Sequence, residues 1–168
     1  GARLAAPQQP VYAMVGDGSY LMLHTELQTA VQEGIKITVL LFDNAGFGCI
    51  NNLQMSQGMG SFCTENRYRD AESGQLRGAL IPVDFAKNAE SYGCKAWRVH
   101  DEASLRQALT ESREHPGPVL LDIKVLPKTM THGYESWWRT GTAQVADNPE
   151  IEAAANSVKA ALSRARQY

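Results

Sequence analysis

The chain has 168 residues, 43% of them hydrophobic and 20% charged, with a formal net charge of -2. That is enough to bury the core of one domain and too little for two comfortable ones. The near-neutral balance, without a Lys/Arg cluster, gives no electrostatic case for nucleic acid, and the most apolar stretch, residues 35–42, is a strand's length and far short of a membrane span.

Residues 1–6 read as the end of a helix stopped by Pro7 and Pro10. A natural domain rarely begins there, and the first residue is Gly1, so the chain is expected to be a fragment of a longer polypeptide. Nothing resembles a signal peptide. Cys49, Cys63 and Cys94 are odd in number, widely spaced and form no CxxC, which favours neither disulfides nor zinc and makes a reducing cytoplasm the expected location.

Val11–Val15 is a short apolar run leading into Gly16-Asp17-Gly18, a buried strand followed by a glycine turn. Residues 21–33 place Leu21, Leu23, Leu27, Ala30 and Val31 near helical period, with Gly34 positioned as a C-cap. Residues 35–42 are nearly all apolar after Lys36, as in a strand covered on both faces. The crossover through a helix makes these two strands parallel, so both end at one edge of the sheet. Asp84 then caps a helix through Phe85, Ala86, Ala89 and Tyr92, ended by Gly93. A strand at 94–99, a helix at 102–113, a strand at 119–125 and an Ala-rich helix at about 149–166 complete the pattern. The alternation predicts an α/β domain of three layers, α/β/α, with a mostly parallel sheet. Two stretches stand apart. Residues 45–80 are rich in Gly, Asn, Gln and Ser, predicting a long loop with one short helix near 49–54 that lacks order in the absence of a ligand. The tail, residues 126–168, is irregular up to its helix and carries Trp137-Trp138. Loops of this length usually serve as lids or binding segments.

Open parallel sheets bind ligands at the carboxyl ends of their strands. Gly16-Asp17-Gly18 leaves the first strand there, and Asp43-Asn44 ends the second. The helix after the first turn directs its N–H groups and positive dipole end to the same place, which suits a diphosphate. No Lys or Arg lies near that turn, so a metal must neutralise the phosphates. Mg²⁺ takes hard oxygen ligands, usually one or two carboxylates beside the phosphates. Asp17 offers a carboxylate, Asn44 an amide oxygen, and the loop beyond it a backbone carbonyl, that of Gly46. A dinucleotide fingerprint would need glycine at position 21, where Leu21 stands, and the Walker A lysine is absent. Either motif alone reads as a common turn. Both together, at successive strand ends, point to a diphosphate ligand held through Mg²⁺.

The layout from Gly16-Asp17-Gly18-Ser19 through Asp43-Asn44 resembles the thiamine diphosphate signature of the decarboxylase and acetolactate synthase superfamily, and the likeness runs over about residues 1–125. The resemblance implies the diphosphate-binding, C-terminal domain, with Asp17, Asn44 and the Gly46 carbonyl on Mg²⁺ and Gly16, Gly18 and Ser19 on the diphosphate. The family often has Asn-Asn where this chain has Asp43-Asn44; the ligand, the second of the pair, is kept. Within the superfamily, residues 16–27 and Gly133-Tyr134-Glu135-Ser136-Trp137-Trp138 resemble the ring-opening hydrolases of myo-inositol catabolism. That likeness implies a cyclic 1,2-dione as substrate, cleaved between its carbonyl carbons with addition of water. Family members take an activating glutamate from a pyrimidine-binding domain across a subunit interface, which implies a homo-oligomer. This chain holds no such domain, Glu26 does not correspond to that glutamate, and no catalytic acid or base is assigned here. Alone it is expected to bind weakly and turn over nothing.

Several residues carry plainer readings beside the functional ones. His24, early in the first helix, is more simply a packed imidazole than a substrate contact. Asn51, Asn52 and Gln54 either face the ligand or form a solvated short helix. Cys49 and Cys63 have no adjacent base to lower their thiols and read as ordinary cysteines. His132, Tyr134, Trp137 and Trp138 either close over the site or anchor the tail. Lys159, Arg164 and Arg166 mark the polar face of a surface helix. The competing functions are an acetolactate synthase-like or 2-oxoacid decarboxylating enzyme, which would share every metal and diphosphate residue, and a non-catalytic assembly module, which would have no reason to keep both Asp17 and Asn44.

Overall fold

The computed structural model describes residues 1–129, 141–143 and 145–165. His132, Tyr134, Trp137, Trp138 and Arg166 lie outside the described residues, and their expected roles with them. The described elements run α1 (Ala2–Ala5), β1 (Tyr12–Gly16), α2 (Asp17–Leu23), α3 (Glu26–Gln32), β2 (Thr38–Asp43), α4 (Gly48–Ser56), α5 (Phe85–Ser91), β3 (Lys95–Val99), α6 (Glu102–Glu114), β4 (Val119–Lys124) and α7 (Pro149–Arg164). The chain divides into two compact units, one of Gly1–Phe47 with Leu80–Pro127, the other of Gly48–Ala79 with the chain from Lys128 onward.

The first unit is built on a four-stranded, all-parallel sheet in the order β1-β2-β4-β3. Alternation along the strands sends side chains to both faces. Val39, Leu41, Ala96 and Leu120 meet Tyr20 of α2, Leu27 of α3 and Phe85, Ala86 and Ala89 of α5 on one face. Val119, Leu121, Ile123 and Val99 meet Leu105, Ala108 and Leu109 of α6 on the other. This is the expected three-layer α/β arrangement. Leu41, Leu120 and Leu121 have no exposed surface, and burial of each such side chain contributes about 1.5–3 kcal/mol.

Two local departures from the sequence expectation shape the site. The single helix predicted over 21–33 is two helices, broken at His24 and Thr25, and the first begins at Asp17 rather than at residue 21. The strand therefore runs straight into the helix, and Asp17 sits in its first turn instead of in a free loop. Leu21 and Leu23, which suggested the later start, are exposed, whereas Tyr20 is the side chain that packs. Gly34 does end α3 with φ +60, and Ile35 N–H donates to the Ala30 carbonyl across it at 2.9 Å, a left-handed C-terminal cap that suits glycine. Asp84 caps α5 as expected, accepting from Lys87 N–H at 2.9 Å.

In the second unit α4 spans the short helix expected near 49–54. Polar side chains tie it to the segment that follows. Asn51, 2% exposed, donates to Thr64 Oγ1 at 2.9 Å. Thr64 Oγ1 donates to Gln54 Oε1 at 2.8 Å, and the Gln54 amide also pairs with both backbone groups of Phe62. Backbone pairing between Tyr68 and Gly78–Ala79 closes the segment.

Candidate cofactor and metal site

All four strands end on the same edge, and β1 and β2 pair in a register that sets Gly16 beside Phe42. Asp17 and the Asp43–Gly46 turn are thereby brought together. Asp17 is fully buried, and its Oδ1 accepts the Asn44 backbone N–H at 3.2 Å. The turn is held in an uncommon conformation, with Ala45 at φ +64 and Gly46 at φ +155. One terminal atom of the Asn44 amide lies 2.9 Å from the Gly46 carbonyl oxygen and 3.0 Å from Asp17 Oδ1. With nitrogen there, the amide donates to both. With oxygen there, a carboxylate, a carbonyl and an amide oxygen face one another, and only a cation reconciles three such acceptors. The donor set thus fits a hard divalent ion. It is a mixed set, so it is consistent with there being no group of three His, Cys, Asp or Glu side chains gathered for a metal among the described residues.

Burial pushes the Asp17 carboxyl up to about 6; the neighbouring Asp43 charge adds to the shift, and backbone N–H groups of Asn44 and Gly46 oppose it. Burial thus disfavours the charged form of this carboxyl, and a cation beside it would favour that form.

The glycines around Asp17 leave room in two different senses. A Cβ on Gly16 would meet nothing within 4 Å, so the strand end is open to a ligand's close approach. A Cβ on Gly18 would lie 2.8 Å from the Phe47 ring and 3.1 Å from the Gly46 carbonyl. Glycine at 18 is what lets the segment of Gly46 and Phe47 pack down on α2. Ser19 is exposed in the first turn of α2. The structure therefore brings Gly16, Asp17, Gly18, Asn44 and Gly46 together at one strand edge, with Ser19 beside them. Phe47 is an addition that no sequence motif announces.

Among the other candidates His24 takes its plainer reading, whereas Asn51 is buried and departs from the solvated helix of the plainer expectation. His24 Nδ1 lies 2.8 Å from the Tyr92 hydroxyl, and its ring stacks on Tyr20 with centroids 5.6 Å apart. Tyr20 in turn donates to Asn88 Oδ1 at 2.7 Å, so His24 belongs to the packing of α2 on α5. Asn51 and Gln54 are engaged inside the second unit, as described above. Cys49 and Cys63 are exposed free thiols, and burial pushes the Cys94 thiol up to about 11.

A second set of charges at the same edge was not foreseen. Lys124, the last residue of β4, lies 2.5 Å from Asp43 Oδ2 and 3.0 Å from Asp122 Oδ1, and it reaches the Val83 carbonyl at 3.4 Å. The Asp122 contact is an ion pair lacking hydrogen-bond direction at Oδ1. Burial pushes the Asp122 carboxyl up, with Lys124 opposing. Burial works against the Lys124 ammonium, yet the hydrogen bond it donates to Asp43 and the negative charges of Asp122 and Asp43 hold it above its ordinary value. These groups line a cavity of about 430 Å³ within the first unit, which also holds the Arg98–Asp84 pair at 3.0 Å.

Residues 1–123 match the family described as thiamine pyrophosphate enzyme, C-terminal TPP binding domain, and the chain belongs to that family. Over all 168 residues it is 55% identical to a 3D-(3,5/4)-trihydroxycyclohexane-1,2-dione hydrolase of Clostridium tetani and 56% identical to one of Bacillus cereus. The chain spans 26% of the length of each of these relatives. Among solved structures it resembles a thiamine diphosphate-dependent 4-hydroxybenzoylformate decarboxylase of Rhodococcus jostii, with a TM-score of 0.60 at 22% identity, over 76% of this chain and 22% of that one. That likeness bears on the fold, which is the thiamine diphosphate-binding α/β fold expected from the sequence. No described helix is long and apolar enough to cross a membrane.

Proposed function

We propose that the chain is the cofactor-binding part of a thiamine diphosphate-dependent hydrolase that opens the ring of trihydroxycyclohexane-1,2-dione by C–C cleavage in myo-inositol degradation. The observation that carries the site is the convergence of Asp17 Oδ1, the Gly46 carbonyl and the Asn44 amide within 3.0 Å contacts at the ends of β1 and β2. These three groups hold Mg²⁺. Gly16, Gly18 and Ser19 admit the diphosphate, the glycines by omitting side chains and the serine by offering a hydroxyl. The identity of more than half to named hydrolases over the whole chain supports the substrate. Thiamine diphosphate, once bound, supplies the carbon centre that stabilises the carbanion left by C–C cleavage. The chain's own contribution is to bind and orient: it fixes the metal, neutralises phosphate charge through it, and closes Phe47 over Gly18.

On this reading the activating glutamate comes from a pyrimidine-binding domain of the same or a neighbouring subunit in a cytoplasmic homo-oligomer. Leu21, Met22 and Leu23 on α2 leave exposed apolar surface for such a domain to cover. The test uses the full-length protein loaded with thiamine diphosphate and Mg²⁺. It is offered the cyclic trihydroxy-dione and, separately, pyruvate, while ring opening and CO₂ release are followed. Ring opening that is lost in Asp17→Ala is the expected result. CO₂ release from pyruvate without ring opening would retain the cofactor site and overturn the substrate.

A further inference from the structure

Asp43 and Lys124 are 81 residues apart in sequence and directly paired in the register of β2 and β4. The two strand ends are tied twice. Val125 N–H donates to the Asp43 carbonyl at 3.0 Å, and the Lys124 ammonium holds the Asp43 carboxylate. The other oxygen of that carboxylate, Oδ1, accepts the Ala45 N–H at 2.9 Å. Asp43 thus uses one oxygen to fix the strand end and the other to fix the turn. Ala45 has φ +64 there, a conformation that costs an alanine and persists only where surrounding bonds hold it. The turn so fixed is the one that carries Asn44 and the Gly46 carbonyl.

Lys124 is anchored on its far side as well. Asp122, only 1% exposed, lies on the same face of β4 two residues back, and the ammonium sits 5.6 Å from the Phe85 ring centroid. A long side chain otherwise free to move is confined to one position by two carboxylates and a ring.

We propose that Lys124 is a positioning residue for the metal turn: through Asp43 it holds Ala45 in the left-handed conformation that aims Asn44 and the Gly46 carbonyl at the cation. Residues that orient metal ligands from behind typically change metal affinity about 10–100-fold when removed. The inference rests on the Mg²⁺ site set out above.

The experiment measures, on the full-length protein, the Mg²⁺ concentration that half-saturates thiamine diphosphate binding, read by quenching of protein fluorescence in the absence of substrate. Lys124→Met is expected to raise that concentration about tenfold, while saturating Mg²⁺ restores the cofactor affinity of the unsubstituted protein. Lys124→Arg, which keeps a cation at the same place, is expected to recover most of the loss. Asp43→Asn keeps an acceptor for Ala45 N–H but loses the ion pair, and is expected to shift the same way by less; it also serves if Lys124→Met does not fold. An unchanged half-saturating Mg²⁺ concentration in folded Lys124→Met, or in folded Asp43→Asn, would overturn the proposal. So would a loss of cofactor affinity that Mg²⁺ cannot restore, since that marks a general structural role. If the unsubstituted protein binds the cofactor without needing Mg²⁺, the metal site itself is wrong and the inference falls with it.

Discussion

The middle of the sheet and its carboxyl edge are made from the same strands yet stand on opposite physical ground. β4 shows the contrast within two residues: Leu121 packs on α6 with no exposed surface, while Asp122, equally buried, carries a carboxylate that burial has pushed up. The interior gains stability from apolar area removed from water. The edge spends some of it to keep Asp43 and Asp122 on one ammonium, with the buried Asp17 near Asp43. Binding capacity and stability are therefore expected to separate under mutation.

The sharpest separation is at Asp17. Asp17→Asn is expected to abolish Mg²⁺-dependent binding of thiamine diphosphate, yet to leave the unliganded protein no less stable at neutral pH, because the charge removed is a disfavoured one. Fluorescence titration and chemical denaturation on the same sample check both halves; a large fall in stability would break the contrast. Leu120→Ala is the converse case. Its side chain is fully buried between the strands and Phe85, and its truncation is expected to cost about 2–5 kcal/mol in denaturant unfolding. The half-saturating Mg²⁺ concentration should stay put in the protein that remains folded.

A smaller effect follows from pH. Asp17 titrates at about 6 against an ordinary 3.8, so between those values the folded chain binds more protons than the unfolded one. Stability from this group is accordingly highest below about 4 and falls as pH rises through about 6. A cation needs the ionised form, so Mg²⁺ affinity should weaken as pH drops below about 6, by about tenfold per unit at most, and level off above it. Titrations over that range in a buffer that does not chelate would show it.

The smallest expected effect lies in the second unit. Asn51→Ala removes a donor to Thr64 and is expected to cost about 1–2 kcal/mol, seen as faster hydrogen exchange over residues 61–64 with no change in β2 or β4. The same measurement without cofactor tests whether the segment within 45–80 exchanges as a loose loop or as the hydrogen-bonded structure described here.

What could be read in advance followed from local chemistry. The strands, the parallel crossover and the caps at Gly34 and Asp84 rest on residues close in sequence, and they stand within a few positions of expectation. The proposed site residues Asp17, Asn44 and Gly46 were reachable because each ends a strand or follows one. The start of α2 was misplaced because Leu21 and Leu23 mimic a core-facing period while facing outward, and Tyr20 does the packing. Phe47 over Gly18 and Lys124 behind Asp43 were out of reach for a different reason. Each depends on a pairing set by sheet register or turn geometry, and no spacing rule connects such positions in one sequence.

The Lys124–Asp43 pair also has a consequence for descent. A carboxylate at position 43 and an ammonium at position 124 support one another, whereas an asparagine at 43 would take away one of the two carboxylates that pair with the ammonium. Across an alignment of relatives, these two positions are expected to change together: lineages with Asn at 43 should carry something other than Lys at 124, and those with Asp should retain the cation. Drift at one of them is then a debt that only a second substitution, far away in the gene, can settle.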